Sequence, residues 1–230
     1  MTIPGEEIAQ AEAADTASRL RGFGPYGLLA ILVVLAGGLA GPVVGGILVI
    51  VWARLSRTPA RALGFTRPRS WAATVTGGLF FGIFLKLVMK SVVMPLMGAP
   101  PVNEAFRYLQ GNTAALPAIL ATVLVSAALG EELFYRSYMF ERLGALLGRG
   151  TAALAVTTLI STALFAAAHY PGQGLPGVQQ AAVGGLVMAG IYAWRRQIWF
   201  LIVTHAAFDL IAVAMIYWNL EEAVAHVFFR

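Results

Sequence analysis

The chain has 230 residues, of which 59% are hydrophobic and 12% charged, and its formal net charge is +5. Soluble domains average about 25% charged residues, so this composition excludes an ordinary soluble protein and indicates an integral protein of the lipid bilayer. The chain has no cysteine, which excludes disulfides, a thiolate nucleophile and a cysteine-based zinc site. Its arginine clusters lie between apolar segments, as is typical of membrane-protein loops, so we expect no nucleic acid partner.

Residues 1–24 form a polar amino-terminal segment that lacks the basic start and apolar run of a signal peptide. Residues 25–230 predict a single transmembrane helical domain, because no polar insert there is longer than a loop. A helix that crosses the membrane needs about 20 mostly apolar residues. By that measure the chain has six predicted spans, at about 26–53, 72–96, 114–134, 151–169, 178–194 and 198–219. The predicted fold class is an all-α, polytopic transmembrane helix bundle.

The first predicted span is rich in glycine, with the pairs Gly37-Gly38 and Gly45-Gly46 on either side of Gly41-Pro42. Such a sequence predicts a kink or close packing against a neighbouring helix. The segment is too short for two full crossings, so we interpret it as one span.

The second predicted span carries Lys86 and Lys90, which share a helix face because they are four residues apart. Long lysine side chains commonly extend along a helix to place their charge at the membrane interface. We therefore expect both ammonium groups at the interface rather than in a buried role.

The third predicted span begins near Asn112 or Thr113, either of which can cap it, with Pro117 in the first turn. Helical character continues to Leu147. At about 1.5 Å per residue such a helix would measure about 50 Å, against a hydrocarbon core of about 30 Å. We therefore expect a break near Gly130, with residues 137–148 lying along the interface.

The arginine distribution predicts that segments 54–69, 142–149 and 195–196 lie on the cytoplasmic side. With six crossings, this arrangement places both termini on the opposite side. Arg19 and Arg21, near the amino terminus, conflict with that placement.

Two adjacent acids, Glu131 and Glu132, lie in the otherwise apolar third span. A charge near the bilayer centre costs at least about 2.5–3.5 kcal/mol, so the pair indicates a function. On a helix, Arg136 shares a face with Glu132 and can neutralise it. Glu131 then remains without a partner nearby in sequence and is the candidate general base.

The later spans contain further ionisable residues with the same spacing. Phe165 is four residues before His169, and His205 is four residues before Asp209, so each pair shares a helix face. Because isolated charges facing lipid would be prohibitive, we expect both histidines to meet the two glutamates in one polar cavity.

The three motifs Glu131-Glu132-x-x-x-Arg136, Phe165-x-x-x-His169 and His205-x-x-x-Asp209 resemble those of a known family of membrane proteases. This is the CAAX protease and bacteriocin-processing family of intramembrane endopeptidases, which includes the type II CAAX prenyl endopeptidases. The resemblance covers about residues 114–212, the predicted protease-like core.

The resemblance implies an endopeptidase in which Glu131 and His169 activate a water for attack on a peptide carbonyl. Glu132, held by Arg136, would orient or tune this pair, and His205 would face the oxyanion together with residue 209. The eukaryotic-type pattern has asparagine at that last position. An ionised Asp209 cannot donate a hydrogen bond, so we expect it to accept one from His205 and fix its tautomer.

The substrate implied by the resemblance is a peptide or protein cut near a membrane-anchored terminus, in the cell membrane of a bacterium or archaeon. No cofactor is expected. One alternative is a zinc protease, with Glu131, His169 and His205 as ligands and one open position for water. Buried ionisable residues are also typical of a proton-coupled transporter, and a non-catalytic immunity or scaffold protein is a third alternative.

Overall fold

The computed structural model describes residues 4–229, and it contains helices and no strand in that range. The predicted segment 1–24 therefore begins outside the described residues, and residue 230 lies outside them too. The helices are α1 (Pro4–Arg21), α2 (Pro25–Ala40), α3 (Pro42–Leu55), α4 (Trp71–Leu96), α5 (Thr113–Leu147), α6 (Thr151–Ala168), α7 (Tyr170–Arg195), α8 (Trp199–Tyr217) and α9 (Glu221–Ala225). Short 3-10 helices cover Ala60–Leu63 and Glu104–Leu109. The predicted all-α polytopic bundle is confirmed.

Within residues 4–229, four helices, α4, α5, α6 and α8, are long and apolar enough to cross a membrane. A fifth span results if Ala11–Arg21 and Pro25–Ala40, which meet at a bend of 61°, are counted as one. Helix α7 covers the predicted span 178–194 and lies beside α6, with a non-helical Gly174 near its start. The predicted number of about six spans is thus close to the structure, but the first span differs.

The first predicted span, 26–53, is two helices rather than one. The chain breaks at Gly41, whose φ of +151° favours glycine, and Pro42 then starts α3 at a position that needs no N–H donor. A Cβ atom on Gly45 would lie 2.9 Å from the Cα atom of Gly38, so α3 folds back tightly on α2. At 16 and 14 residues, or about 24 and 21 Å, both helices are shorter than the hydrocarbon core. The two helices form a hairpin that returns to the side from which it started.

The open end of the α2–α3 hairpin is joined to α1. The indole Nε1 of Trp52 donates a hydrogen bond to the Leu20 carbonyl (3.1 Å), and Arg142 Nη1 donates to the Arg21 carbonyl (2.9 Å). The amino-terminal helix therefore lies at the same end of the bundle as residue 142. The prediction that the amino terminus lies opposite the arginine clusters is wrong, because the chain turns back at Gly41 and α3 returns to the end of the bundle that holds α1.

The arginine-rich segments meet at this end of the bundle. The Ile198 N–H donates to the Gly64 carbonyl (2.9 Å), and the rings of Phe65 and Trp199 are 5.2 Å apart. These contacts bring the loop after α3 to the loop between α7 and α8. The conflict raised by Arg19 and Arg21 therefore disappears, since both lie at the arginine-rich end.

Helix α5 is continuous to Leu147, so the predicted break near Gly130 is wrong and residues 137–147 remain part of the helix. Its middle part, Thr122–Tyr138, is wound as a π-helix, which is wider than an α-helix and rises less per residue. A Cβ atom on Gly130 would lie 2.7 Å from the Pro42 carbonyl oxygen, so this glycine serves contact with the hairpin. Asn112 caps the start of α5 through the Ala115 N–H, as predicted.

The two lysines of α4 are buried, at 6% exposure for Lys86 and 8% for Lys90, so their predicted interfacial position is wrong. Lys86 Nζ donates to Gln180 Oε1 (2.7 Å), and Lys90 Nζ forms an ion pair with Glu221 Oε1 (2.7 Å). The lysines turn inward because these partners, from helices distant in sequence, are available there.

Helices α4 and α8 lie side by side in the same direction. A Cβ atom on Gly78 would meet Val203 at 2.9 Å, and one on Gly82 would meet Ala207 at 2.8 Å. Small residues on α4 thus allow α8 to approach closely, as is common between helices in membranes. This contact determines where His205 and Asp209 on α8 lie along the bundle axis relative to Lys86 and Lys90 on α4.

Candidate active site

A cavity of about 510 Å³ lies between helices α4 to α8 and the turn of the α2–α3 hairpin, within the size range of ligand sites. Glu131, His169, His205 and Asp209 all line it. Three of the four residues expected in one cavity, Glu131 and the two histidines, therefore do converge. The fourth, Glu132, lies behind the cavity wall.

Glu132 is fully buried and binds His205. Its Oε1 atom is 2.7 Å from His205 Nδ1 and 3.0 Å from Arg136 Nη1. Because the carboxylate can only accept, Nδ1 of His205 carries the proton of this hydrogen bond. Glu132 therefore fixes the orientation of the His205 ring and compensates the buried guanidinium.

The opposite edge of the His205 ring points at two further carboxylates. Its Nε2 atom is 3.7 Å from Glu131 Oε2 and 3.6 Å from Asp209 Oδ2, both too long for a hydrogen bond. The orienting bond that we expected from Asp209 thus comes from Glu132. Asp209 instead flanks the nitrogen that faces the cavity.

His169 has its own orienting bond at the end of α6. Its Nδ1 donates to the Phe165 carbonyl (2.8 Å), because a carbonyl oxygen can only accept. The neutral ring then keeps an unprotonated Nε2, which can take up a proton or bind a water. The Phe165 ring packs against both histidines, with centroid distances of 4.7 Å to His169 and 6.2 Å to His205.

Arg136 is 1% exposed and lies over the Phe165 ring, with its Cζ atom 4.3 Å from the ring centroid. It contacts Glu132 at one oxygen, and none of its nitrogens has hydrogen-bond geometry to a partner among the described residues. The guanidinium is therefore held by the aromatic face together with one ion-pair contact, not by a two-pronged carboxylate bridge.

We expect Arg136→Lys to impair function more than the retained charge suggests. Lysine cannot lie flat on the Phe165 ring, and its compact ammonium is more strongly hydrated than a guanidinium. Peptide cleavage by purified Arg136→Lys should fall at least about tenfold, since the Glu132 support of His205 would shift. Wild-type activity in this variant would show that the Arg136–Glu132 contact serves stability alone.

Two polar residues on the cavity wall, Lys86 and Gln180, were missed as site residues. The available signal was a lysine ten residues, or nearly three turns, from the nearer end of an apolar span. It was misread because the sequence does not show that Gln180, on another helix, provides a buried acceptor for it.

The alternative zinc ligands are only partly brought together. Glu131 Oε2 and His205 Nε2, 3.7 Å apart, are close enough to share an ion at zinc–ligand distances of about 2.0–2.2 Å. Among residues 4–229, however, no group of three or more histidine, aspartate or glutamate side chains is arranged to hold a metal ion.

Comparison with known proteins agrees with the geometry. Residues 113–211 match the family model described as "Type II CAAX prenyl endopeptidase Rce1-like", which confirms the resemblance read from the three motifs. No curated protein and no solved structure matches the chain. At the level of the family, the match supports a CAAX-type intramembrane protease, a hydrolase that acts on protein substrates in the membrane environment.

Proposed function

We propose that this chain, whose residues 113–211 match the Rce1-like type II CAAX prenyl endopeptidases, hydrolyses a peptide bond near a membrane-anchored terminus of a protein substrate. The observation that carries the proposal is the convergence of Glu131, His169, His205 and Asp209 on one cavity. Ionisable side chains within membrane spans are costly, and a shared polar cavity that admits water and substrate accounts for their presence.

In the proposed reaction, a water lies between Glu131 and His169. Glu131 takes a proton from it, and the oxygen attacks the carbonyl carbon of the scissile bond. The carbonyl oxygen becomes an oxyanion in a tetrahedral intermediate. When the C–N bond breaks, Glu131 returns the proton to the departing amine, so the base is regenerated and a carboxylate and an amine are released.

His205 is the proposed partner of the oxyanion. Its Nδ1–H is committed to Glu132, so a protonated ring presents Nε2–H to the cavity as a donor. Glu132 and Arg136 hold the ring in place without touching the substrate. Asp209, beside Nε2, balances the charge of the ring in this proposal.

The proposed reaction needs no cofactor, and a chelation experiment tests this. Purified protein in detergent is incubated with a membrane-tethered peptide, with and without exhaustive chelation, and products are identified by mass. We expect undiminished cleavage after chelation. Loss of cleavage that added Zn²⁺ restores would instead favour the zinc-protease alternative.

The same assay separates the non-enzymatic alternatives. A proton-coupled transporter would cut no peptide bond, and Glu131→Gln would alter proton flux in vesicles. An immunity or scaffold protein would show neither activity. We propose a bacterial or archaeal cell membrane as the location of the protein.

A further inference from the structure

We propose that Lys86 binds the free carboxylate at the carboxyl terminus of the peptide substrate and thereby selects which peptide is cut. This inference rests on the proposed function, since it assigns a recognition role within the same cavity. Three observations support it: Lys86 lines the cavity, its ammonium group forms no ion pair among the described side chains, and it lies close to His205 along the bundle axis.

Lys86 belongs to the cavity wall that also contains Glu131 and His205. Among the described residues, it is the one lysine or arginine that lines this cavity. A ligand inside the cavity therefore meets a single ammonium group, which determines where a negative charge on that ligand can be placed.

The ammonium group of Lys86 has neutral partners. Its Nζ atom donates to the amide Oε1 of Gln180 (2.7 Å) and lies 4.7 Å from the ring centroid of Phe208. Among the described side chains it forms no ion pair, whereas Lys90, one turn along α4, is paired with Glu221 at 2.7 Å. An ammonium has three donors, so two remain for a ligand.

A buried cation without an anion is costly, and a carboxylate ligand would remove that cost. Water and the Gln180 amide can solvate Lys86 when the cavity holds no substrate. A bound carboxylate would complete a charge-assisted hydrogen bond in surroundings of low polarity, where such bonds are strongest. An extended peptide carries one backbone carboxylate, and it is at the carboxyl terminus.

The position of Lys86 along the bundle axis agrees with binding of a terminal carboxylate. Gly82 of α4 faces Ala207 of the parallel helix α8, and Lys86, one turn further, lies over Phe208. Lys86 is therefore about one helical turn, or about 5 Å, from His205 along the bundle. An extended chain rises about 3.3 Å per residue, so the bond near His205 would lie within a few residues of the carboxylate.

Asp209 is the internal alternative to a ligand, because it lines the same cavity and its charge could balance Lys86 directly. Its Oδ2 atom is instead directed at His205 Nε2, at 3.6 Å. The two arrangements predict different responses to the charge at the end of the substrate, and this difference is measurable.

The experiment compares two tethered peptides of one sequence, one with a free carboxyl terminus and one with a terminal amide. For each enzyme variant, the ratio of kcat/KM for the acid to kcat/KM for the amide is measured. This ratio does not depend on the fraction of enzyme that is folded, because both peptides are assayed with the same enzyme preparation. We expect the wild type to prefer the free acid by at least about tenfold, and Lys86→Gln to bring the ratio close to one.

Lys90→Gln is the matched control, since it removes the same charge one turn away outside the cavity. We expect it to keep the preference for the free acid, even if it folds less stably. Equal cleavage of acid and amide by the wild type, or a preference that survives in Lys86→Gln, would overturn the inference and leave the protease assignment intact. Cleavage of neither peptide by the wild type would instead count against the proposed function itself.

An anionic lipid headgroup is the other source of a negative charge for Lys86. The assay is therefore repeated in phosphatidylcholine vesicles with and without phosphatidylglycerol. The proposal expects an acid-to-amide ratio that phosphatidylglycerol leaves unchanged. A preference for the acid that phosphatidylglycerol abolishes in the wild type would assign Lys86 to the lipid and overturn the proposal.

Discussion

We expect Glu131→Gln to lower kcat/KM for peptide cleavage by at least about 10²-fold while the protein folds normally. Glutamine keeps the shape of the side chain, and Glu131 makes no hydrogen bond that the amide would break among the described residues. The substitution therefore removes the proton acceptor and little else. Cleavage is measured by mass on a membrane-tethered peptide, and folding by the thermal midpoint in detergent.

Glu131→Asp tests position rather than charge. It withdraws the carboxylate by one methylene group from the water that it would activate, so we expect cleavage to be poor in this variant as well. Glu104→Gln is a suitable control, because Glu104 is exposed, pairs with Arg107 and does not line the cavity. Near-normal cleavage by Glu131→Gln would remove Glu131 from the role of base and leave His169 as the candidate.

The largest loss of stability is expected for Arg136→Met. This variant leaves the fully buried carboxylate of Glu132 with His205 as its remaining described partner. Breaking a buried ion pair by removing one member typically costs about 3–5 kcal/mol, because the other charge stays buried without compensation. The thermal midpoint in detergent should fall by several degrees, together with the activity.

The double variant Glu132→Leu/Arg136→Met separates stability from function. Apolar side chains that replace both members of a buried pair are often nearly neutral for stability, so we expect much of the lost midpoint to return. Activity should remain low, since His205 would still lack the acceptor for its Nδ1–H. Recovery of both stability and cleavage would show that Glu132 contributes nothing beyond charge compensation.

The part of the site that lies within single helices could be predicted from the sequence. Residues four apart share a helix face, so the contacts of Glu132 with Arg136 and of Phe165 with His169 follow from spacing alone. Three such pairs in order along apolar segments were also enough to indicate the resemblance to the family whose model matches residues 113–211.

Contacts between helices could not be predicted in this way. The sequence does not show that His205 turns its Nδ1 towards Glu132, 73 residues away, and not towards Asp209 on its own helix. The burial of Lys90 likewise depends on Glu221, 131 residues further along the chain. Spacing along one helix determines which residues share a face of that helix. Which residues of other helices contact that face depends on how the helices pack.

The path of the backbone was mispredicted at a glycine that allows a neighbouring segment to pack closely. A glycine in an apolar segment permits a break, and it equally permits a neighbour to approach. The sequence led us to expect a break at Gly130, where the chain needs room for the Pro42 carbonyl. The actual break is at Gly41, followed by a proline that begins a new helix.

The α2–α3 hairpin also determines how much polar chain must be transported through the bilayer during biosynthesis. Because the hairpin returns to the end of the bundle where it began, we expect that α1, with its exposed Asp15–Arg19 pair, does not have to be translocated. The helices from α4 to α8 run in alternating directions, which leaves α1 and the end of α8 at opposite ends of the bundle. We therefore expect reporters placed beside α1 and after α8 to report different compartments.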